Sequence, residues 1–163
     1  MNIQHIYIYA LQREFEGKRF FEQNADRLSH STAVQAFKTL AGEEQKHIEF
    51  IQNQLDALER GHAPDLKFGQ ELAQAGFFVE RATSELLDQT VAEAMVPDLP
   101  VLRMAYLIER DFAEFYEMAA QKFEGEPNLV LLMLANWERG HERLFKYLHD
   151  QAFERYAQMP WGG

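Results

Sequence analysis

Cysteine is absent from this chain of 163 residues. Its absence excludes disulfides, thiolate metal sites and Cys-ligated redox centres within these residues, so any bound metal must use oxygen and nitrogen ligands. The N-terminal segment "MNIQHIYIYA" has neither a basic start nor a long apolar run. We therefore expect no signal peptide, no membrane association and a cytoplasmic location.

Positive charge is scarce as well, because 16 Lys and Arg residues face 26 Asp and Glu residues and leave a formal net charge of -10. Nucleic-acid binding depends largely on Lys and Arg side chains that neutralise phosphates, so we expect no nucleic-acid partner. A chain of this length with 47% hydrophobic residues can bury one core. The sequence therefore predicts a single domain over residues 1–163, whose acidic character favours cations.

Strand-like alternation of apolar and polar residues is also missing, whereas four segments have the apolar spacing of amphipathic helices. Ser31 is a favourable N-cap and Gly61 a favourable C-cap for the second helix. Pro100 and Pro127 suit the first positions of the third and fourth helices. The four predicted helices span residues 3–28, 31–60, 100–123 and 127–157.

The lengths of the connections predict how these helices are arranged. Short links join the first helix to the second and the third to the fourth, which suits antiparallel hairpins over residues 3–60 and 100–157. Residues 61–99 form a connection long enough to cross the whole bundle, with a short additional helix at residues 84–94. The sequence thus predicts an all-α four-helix bundle with ferritin-like connectivity and a short tail at residues 158–163.

An internal repeat relates the two hairpins. The segment "AGEEQKHIEF" is echoed by "NWERGHERLF", so the motif Glu-x-x-His occurs twice, and "LQREFEGKRFF" is echoed by "YLIERDFAEFY". The i, i+3 spacing of the motif places both side chains on one helical face, where they can converge on the same ion. At offsets of 94 and 95 positions, the matched pairs are Glu44 with Glu138, His47 with His141, and Glu14 with Glu109.

One glutamate in each predicted helix lies on the apolar stripe that should face the bundle axis. Four ionised carboxylates in an apolar core would repel one another, and each would cost several kcal/mol to desolvate. No Lys or Arg occupies the stripe in these central turns, whereas two divalent cations would supply four compensating charges. The stripes are Tyr7, Glu14, Phe21 and Leu28; Phe37, Glu44, Ile51 and Leu58; Leu102, Glu109, Tyr116 and Phe123; and Leu131, Glu138, Phe145 and Ala152.

These motifs resemble those of the rubrerythrin branch of the ferritin-like superfamily, and the resemblance covers essentially the whole chain. It implies two iron ions, with manganese as the alternative, in a site built from six protein ligands. It also implies that Tyr116 lies near the metals and hydrogen-bonds a ligand carboxylate. The implied ligands are Glu44 and Glu138 as bridges, His47 and Glu14 on one ion, and His141 and Glu109 on the other.

The resemblance implies an oxidoreductase that reduces peroxide or dioxygen, and a homodimer. Typical rubrerythrins carry a Cys-ligated rubredoxin module, which these residues lack, so we expect an external electron-donor protein. Phe112 stands where many members have a second Glu that lets an iron change position. An iron-binding or storage protein of ferroxidase type is the alternative function, and a di-manganese protein with catalase-like activity is the third.

Other polar and aromatic residues have simpler expected roles. Glu16 and Glu43 neighbour the candidate ligands but fall off the stripe, so we expect them at the surface. The remaining histidines have no carboxylate partner in the pattern and are expected to be exposed. The tail with Pro160 and Trp161 is expected to be a frayed terminus. The histidines in question are His5, His30, His62 and His149, and the aromatic residues expected in the core include Phe20, Phe21, Phe77 and Phe78.

Overall fold

The computed structural model describes residues 1–75 and 89–160. Regular structure within these residues is helical and begins almost immediately after the N-terminus. The helices are α1 (Ile3–Ala25), α2 (Ser31–Arg60), α3 (Leu66–Ala75), α4 (Gln89–Ala94), a 3-10 turn (Val96–Asp98), α5 (Leu99–Ala120) and α6 (Glu126–Gln158).

Two antiparallel hairpins form the bundle. Helix α1 packs along α2, and α5 packs along α6, while the shorter helices α3 and α4 lie against α6 within the long connection. This arrangement confirms the predicted all-α bundle with ferritin-like connectivity. Among the described helices, none is both long and apolar enough to cross a membrane.

The ends of the helices agree with the sequence prediction in part. Gly61 ends α2 in the left-handed conformation, with φ of 67°, as expected of a C-cap glycine. The N-cap of α2 is His30 rather than Ser31, because the His30 Nδ1 atom accepts the backbone N–H of Thr32 at 3.1 Å. A neutral imidazole nitrogen can therefore replace the hydroxyl that cap preferences favour. Both prolines stand at the second position of their helices rather than the first.

Helix α3 was not predicted. Gly69 interrupts its short amphipathic pattern, and glycine weakens a helix in isolation. The tertiary contact explains the glycine, since a Cβ atom at Gly69 would lie 2.4 Å from Met133 Cε and 2.7 Å from Phe50 Cε2. Glycine at position 69 therefore allows α3 to approach the bundle closely, although the same glycine makes this helix hard to recognise in the sequence. The short helix predicted at residues 84–94 is described only over its last six residues, as α4.

A polar layer divides the core into two apolar clusters. The cluster near the α1–α2 turn contains Phe21, Phe37 and Phe145, whose ring centroids lie 5.3 Å apart. The cluster near the α5–α6 turn includes Phe50 and Tyr116. Full burial of a large apolar side chain stabilises a fold by about 1.5–3 kcal/mol. The two clusters therefore hold the four long helices firmly on either side of the polar layer.

The predicted core differs from the structure at its edges. Leu58 is 41% exposed, because it lies in the last turn of α2 beyond the second cluster. Phe123 and Phe20 are half-buried and pack against the rims of the clusters. Three aromatic residues of the sequence analysis lie outside the described residues: Phe77, Phe78 and Trp161.

Asp98 fastens the long connection to the first hairpin. Its buried carboxylate accepts the backbone N–H of Ser29 at 2.9 and 3.0 Å from its two oxygens. A hydrogen bond to a charged group contributes about 1.5–3 kcal/mol to stability. We therefore expect Asp98→Ala to lower the melting temperature by roughly 3–10 °C in a thermal unfolding experiment. Asp56→Ala removes an exposed carboxylate from α2 and should change it by no more than about 2 °C; equal shifts would contradict the prediction.

Candidate metal centre

The polar layer consists of six side chains near the middle of the four long helices. Each is between 0% and 4% exposed, although Glu is almost never fully buried without a partner. The seven-residue spacing places one carboxylate of each helix on the inward stripe, and the i, i+3 spacing adds an imidazole on the same face. The structure brings together all six residues that the sequence predicted as a site: Glu14, Glu44, His47, Glu109, Glu138 and His141.

His47 faces three carboxylates at once. Its Nδ1 atom lies 2.9 Å from Glu138 Oε1 and 3.2 Å from one oxygen each of Glu14 and Glu44. One N–H can donate in only one direction, and the contact with Glu14 has hydrogen-bond geometry. The nitrogen therefore occupies a point on which three carboxyl groups converge.

His141 repeats this arrangement on the other side of the layer. Its Nδ1 atom lies 3.3 Å from Glu138 Oε2, 3.4 Å from Glu109 Oε2 and 3.8 Å from Glu44 Oε1. The imidazole rings of His141 and His47 are nearly parallel, with centroids 5.3 Å apart and an interplanar angle of 10°. Both nitrogens thus point into one compact cage of carboxylate oxygens.

Two of the overlapping groups that these six side chains form contain four residues each, with ligand atoms within 4.8 Å of one another. Glu44 and Glu138 belong to both groups. Three carboxylates and one imidazole in each group are ligand types that suit iron or manganese. The first group adds Glu14 and His47 to the shared pair, and the second adds Glu109 and His141.

Burial and mutual repulsion raise the pKa of two of these carboxyls. Burial raises the pKa of Glu44 well above its ordinary value, and the charges of Glu138 and Glu14 raise it further. The pKa of Glu109 is raised by burial first and then by the charges of Glu44 and Glu138. The metal-free protein therefore tends to keep protons on these two groups.

The histidines act in the opposite sense on Glu138. Burial would raise the pKa of Glu138, but the facing His47 and His141 outweigh it and hold that pKa well below the ordinary value. Burial lowers the pKa of His47, yet Glu138 and Glu14 raise it overall to well above its usual range. The carboxylates therefore favour a protonated, positively charged His47 in the core.

One observation within the described residues supports these side chains as metal ligands. Neither oxygen of Glu44, Glu109 or Glu138 has a hydrogen-bond partner there, and the same holds for His141 Nδ1. Buried polar atoms are nearly always paired, because a buried group without a partner costs about 1–3 kcal/mol. These atoms all face one another, so cations between them would satisfy the whole set.

We expect the metal-free protein to lose stability as the pH rises from 5.5 to 8. A group whose pKa is raised in the folded protein stabilises the fold fully only when the pH is below its pKa in the unfolded chain. That unfolded pKa is about 4.5 for Glu44 and Glu109 and 6.5 for His47. That stability is lost as the pH rises through the folded values. Glu138, with its lowered pKa, loses its contribution only on acidification below about 4.5. Denaturant unfolding of metal-free protein at both pH values measures the difference.

The matched variant for this pH dependence is Glu44→Gln/Glu109→Gln. Its amides keep the shape of the carboxyls but do not titrate, so its stability should change less between pH 5.5 and 8. An equally steep change in this variant would show that other groups govern the pH dependence.

Two aromatic residues support the cage. The Tyr116 hydroxyl donates a hydrogen bond to Glu14 Oε1, and Tyr116 is fully buried. Trp137 stacks on the ring of His47 with centroids 4.9 Å apart and an interplanar angle of 20°. The sequence analysis singled out Tyr116 but missed Trp137, which is off the apolar stripe. Its place immediately before Glu138 was the only signal that could have found it.

The remaining polar residues lie away from the cage. Glu16 is exposed as predicted, whereas Glu43 is half-buried and pairs with Lys46 at 2.9 Å. His5 and His62 are exposed as predicted. The prediction of exposure was wrong for His30 and His149, which are both half-buried. His30 caps α2, and His149 lies beside Asp150.

Comparison with known proteins agrees with this architecture. Residues 5–149 match the family model described as Rubrerythrin. Comparisons with curated proteins and with solved structures gave no significant match. The matched region contains all four long helices in large part and all six residues of the cage. Because the match covers most of the 163 residues, the chain belongs to the rubrerythrin family.

Proposed function

We propose that this protein is a di-iron carboxylate oxidoreductase that reduces peroxide or dioxygen with electrons from an external donor protein. The observation that carries the proposal is the set of buried carboxylate oxygens without hydrogen-bond partners in the described part of the chain. Four carboxylates and two imidazoles on four helices are the ligand set of di-iron and di-manganese bundles. Membership of the rubrerythrin family supports the same reading.

The two groups suggest how the ligands divide. Glu44 and Glu138 belong to both groups, so they would take part in holding both ions. Glu14 and His47 would complete one position, and the remaining Glu and His would complete the other. The second Glu-His pair is Glu109 and His141.

When bound, two iron ions would supply the two electrons that cleavage of the O–O bond of peroxide requires. Each peroxide also takes up two protons and leaves as two water molecules. Tyr116 holds a proton at the edge of the cage, since burial and the charge of Glu14 raise the pKa of its hydroxyl well above the ordinary value. Its hydrogen bond also fixes the orientation of Glu14.

Apolar side chains keep water away from the cage. Phe112 is 5% exposed and lies one helical turn beyond Glu109. The guanidinium of Arg13 lies over the Phe112 ring, 4.5 Å from its centroid. A dry wall strengthens the electrostatic interactions inside the cage and limits side reactions.

The decisive experiment measures peroxide consumption by iron-loaded protein with and without a chemical reductant. We expect consumption that needs the reductant and continues for more than about ten turnovers per chain. Metal-free protein is the control and should give only the background rate.

Other outcomes would identify the alternative functions. Iron uptake well above two ions per chain would replace the proposal by iron storage. Peroxide disproportionation without reductant, by manganese-loaded protein, would indicate a catalase-like activity. No consumption by iron- or manganese-loaded protein would remove the enzymatic proposal altogether.

A further inference from the structure

The proposed metal centre has two halves, and the ligand side chains of the two halves have different hydrogen-bonding and stacking partners. The His47 position comprises Glu14 and His47 with the shared pair, and the His141 position comprises Glu109 and His141 with that pair. The internal repeat relates one position to the other. Any difference between them must therefore come from residues at which the repeat is broken.

The first break concerns a hydroxyl group. At the offset that pairs Glu14 with Glu109, Tyr116 corresponds to Phe21. Tyr116 donates a hydrogen bond to Glu14, whereas Phe21 has no hydroxyl and stacks on another ring in the apolar cluster. Both oxygens of Glu109 lack a hydrogen-bond partner among the described residues. Glu14 is thus oriented by a hydrogen bond before any ion binds, whereas Glu109 is not.

The second break concerns an indole ring. At the offset that pairs the two Glu-x-x-His motifs, Trp137 corresponds to Glu43, which forms an ion pair with Lys46 near the surface. Trp137 stacks on His47, and Phe50 packs against Trp137 with centroids 5.1 Å apart at 71°. The ring of His47 is therefore held between Trp137 and the stacked ring of the other histidine.

These supports lie on the same half of the centre. Side chains that orient metal ligands raise affinity, because less freedom is lost when the ion binds, and their removal typically costs 10- to 100-fold in affinity. We infer that the two positions are inequivalent: the His47 position binds a divalent cation first and more tightly, with Tyr116 and Trp137 as its positioning residues. This inference rests on the proposed di-metal function.

The test is an anaerobic titration of metal-free protein with Fe(II) alone, in which calorimetry and tryptophan fluorescence monitor binding. The chain has two tryptophans, so the background variant Trp161→Phe leaves Trp137 as the only tryptophan. We expect two binding steps whose dissociation constants differ by at least about tenfold. The first equivalent should cause most of the quenching, since it binds beside the stacked indole.

Single substitutions assign the steps to the two positions. Tyr116→Phe should weaken the first step by about 10- to 100-fold and leave the second nearly unchanged. Phe21→Tyr introduces a hydroxyl at the matching place of the repeat and should strengthen the second step. Tyr7→Phe is the matched control, because it removes a buried hydroxyl two turns before Glu14 and should change neither step.

Two unequal steps, with quenching in the first, support the inference. Two steps of equal affinity, quenching that follows the second equivalent, or an equal effect of Tyr116→Phe on both steps would each overturn it. If Tyr116→Phe does not fold, the quenching order and Phe21→Tyr still decide. No Fe(II) binding in any form would instead remove the proposed metal centre itself, which separates the two failures.

Discussion

Replacement of both Glu44 and Glu138 by alanine should reduce the bound metal from about two ions per chain to none. These two carboxylates are the members shared by both ligand groups, so each group would keep one carboxylate and one imidazole. Two ligands do not hold iron or manganese against water and buffer. Elemental analysis of protein purified without added metal measures the loss, and reductant-dependent peroxide consumption should fall to the background rate.

The matched control for this loss is Glu16→Ala/Glu43→Ala. It also removes two glutamates from α1 and α2, close to the candidate ligands in sequence but outside the cage. It should retain about two ions per chain. Metal retention by Glu44→Ala/Glu138→Ala would show that the cage is not the metal site.

Removal of both metal ions from the wild-type protein by a chelator should lower its melting temperature by about 15–30 °C. Each ion stabilises the folded state by about 4 kcal/mol when its free concentration is 1,000 times its dissociation constant. In a protein of this size, each kcal/mol changes the melting temperature by about 2–4 °C. Calorimetric melting before and after chelation measures the change.

Glu138→Ala should lower the melting temperature less than chelation of the wild-type protein does. Chelation leaves four buried carboxylates without their cations, whereas Glu138→Ala removes the charge that repels Glu44 and Glu109 together with its desolvation cost, and we expect this relief to outweigh the lost contact with His47. An unchanged melting temperature after chelation would mean that the buried charges are compensated without metal, and the proposed centre would then be wrong.

The cage could be predicted because its residues follow local spacing rules. Seven-residue spacing identifies Glu14 and Glu109 as inward-facing on their own helices, and the i, i+3 spacing does the same for each Glu-x-x-His motif. Short links predict which helices form hairpins. None of these steps requires knowledge of which side chains meet across the bundle.

Contacts between distant helices could not be predicted in this way. Trp137 is off the apolar stripe of α6, and only the approach of α2 places His47 against its ring. Gly69 argues against a helix until Phe50 and Met133 are seen to leave no room for a Cβ atom. His30 ranks low among caps, yet its nitrogen lies within reach of the backbone of Thr32.

The sequence by itself therefore determined the helical bundle and the six side chains of the polar layer, because these depend on periodicity along single helices and on the lengths of the links between them, and its motifs carry the resemblance to the rubrerythrins. Only the tertiary structure decided how that layer is supported: which carboxylate receives the Tyr116 hydroxyl, which imidazole is held by Trp137, and which carboxylate oxygens stay unpaired. The physical reason is that helical spacing sets the direction of a side chain, whereas its partners depend on the packing of helices that are distant in the chain.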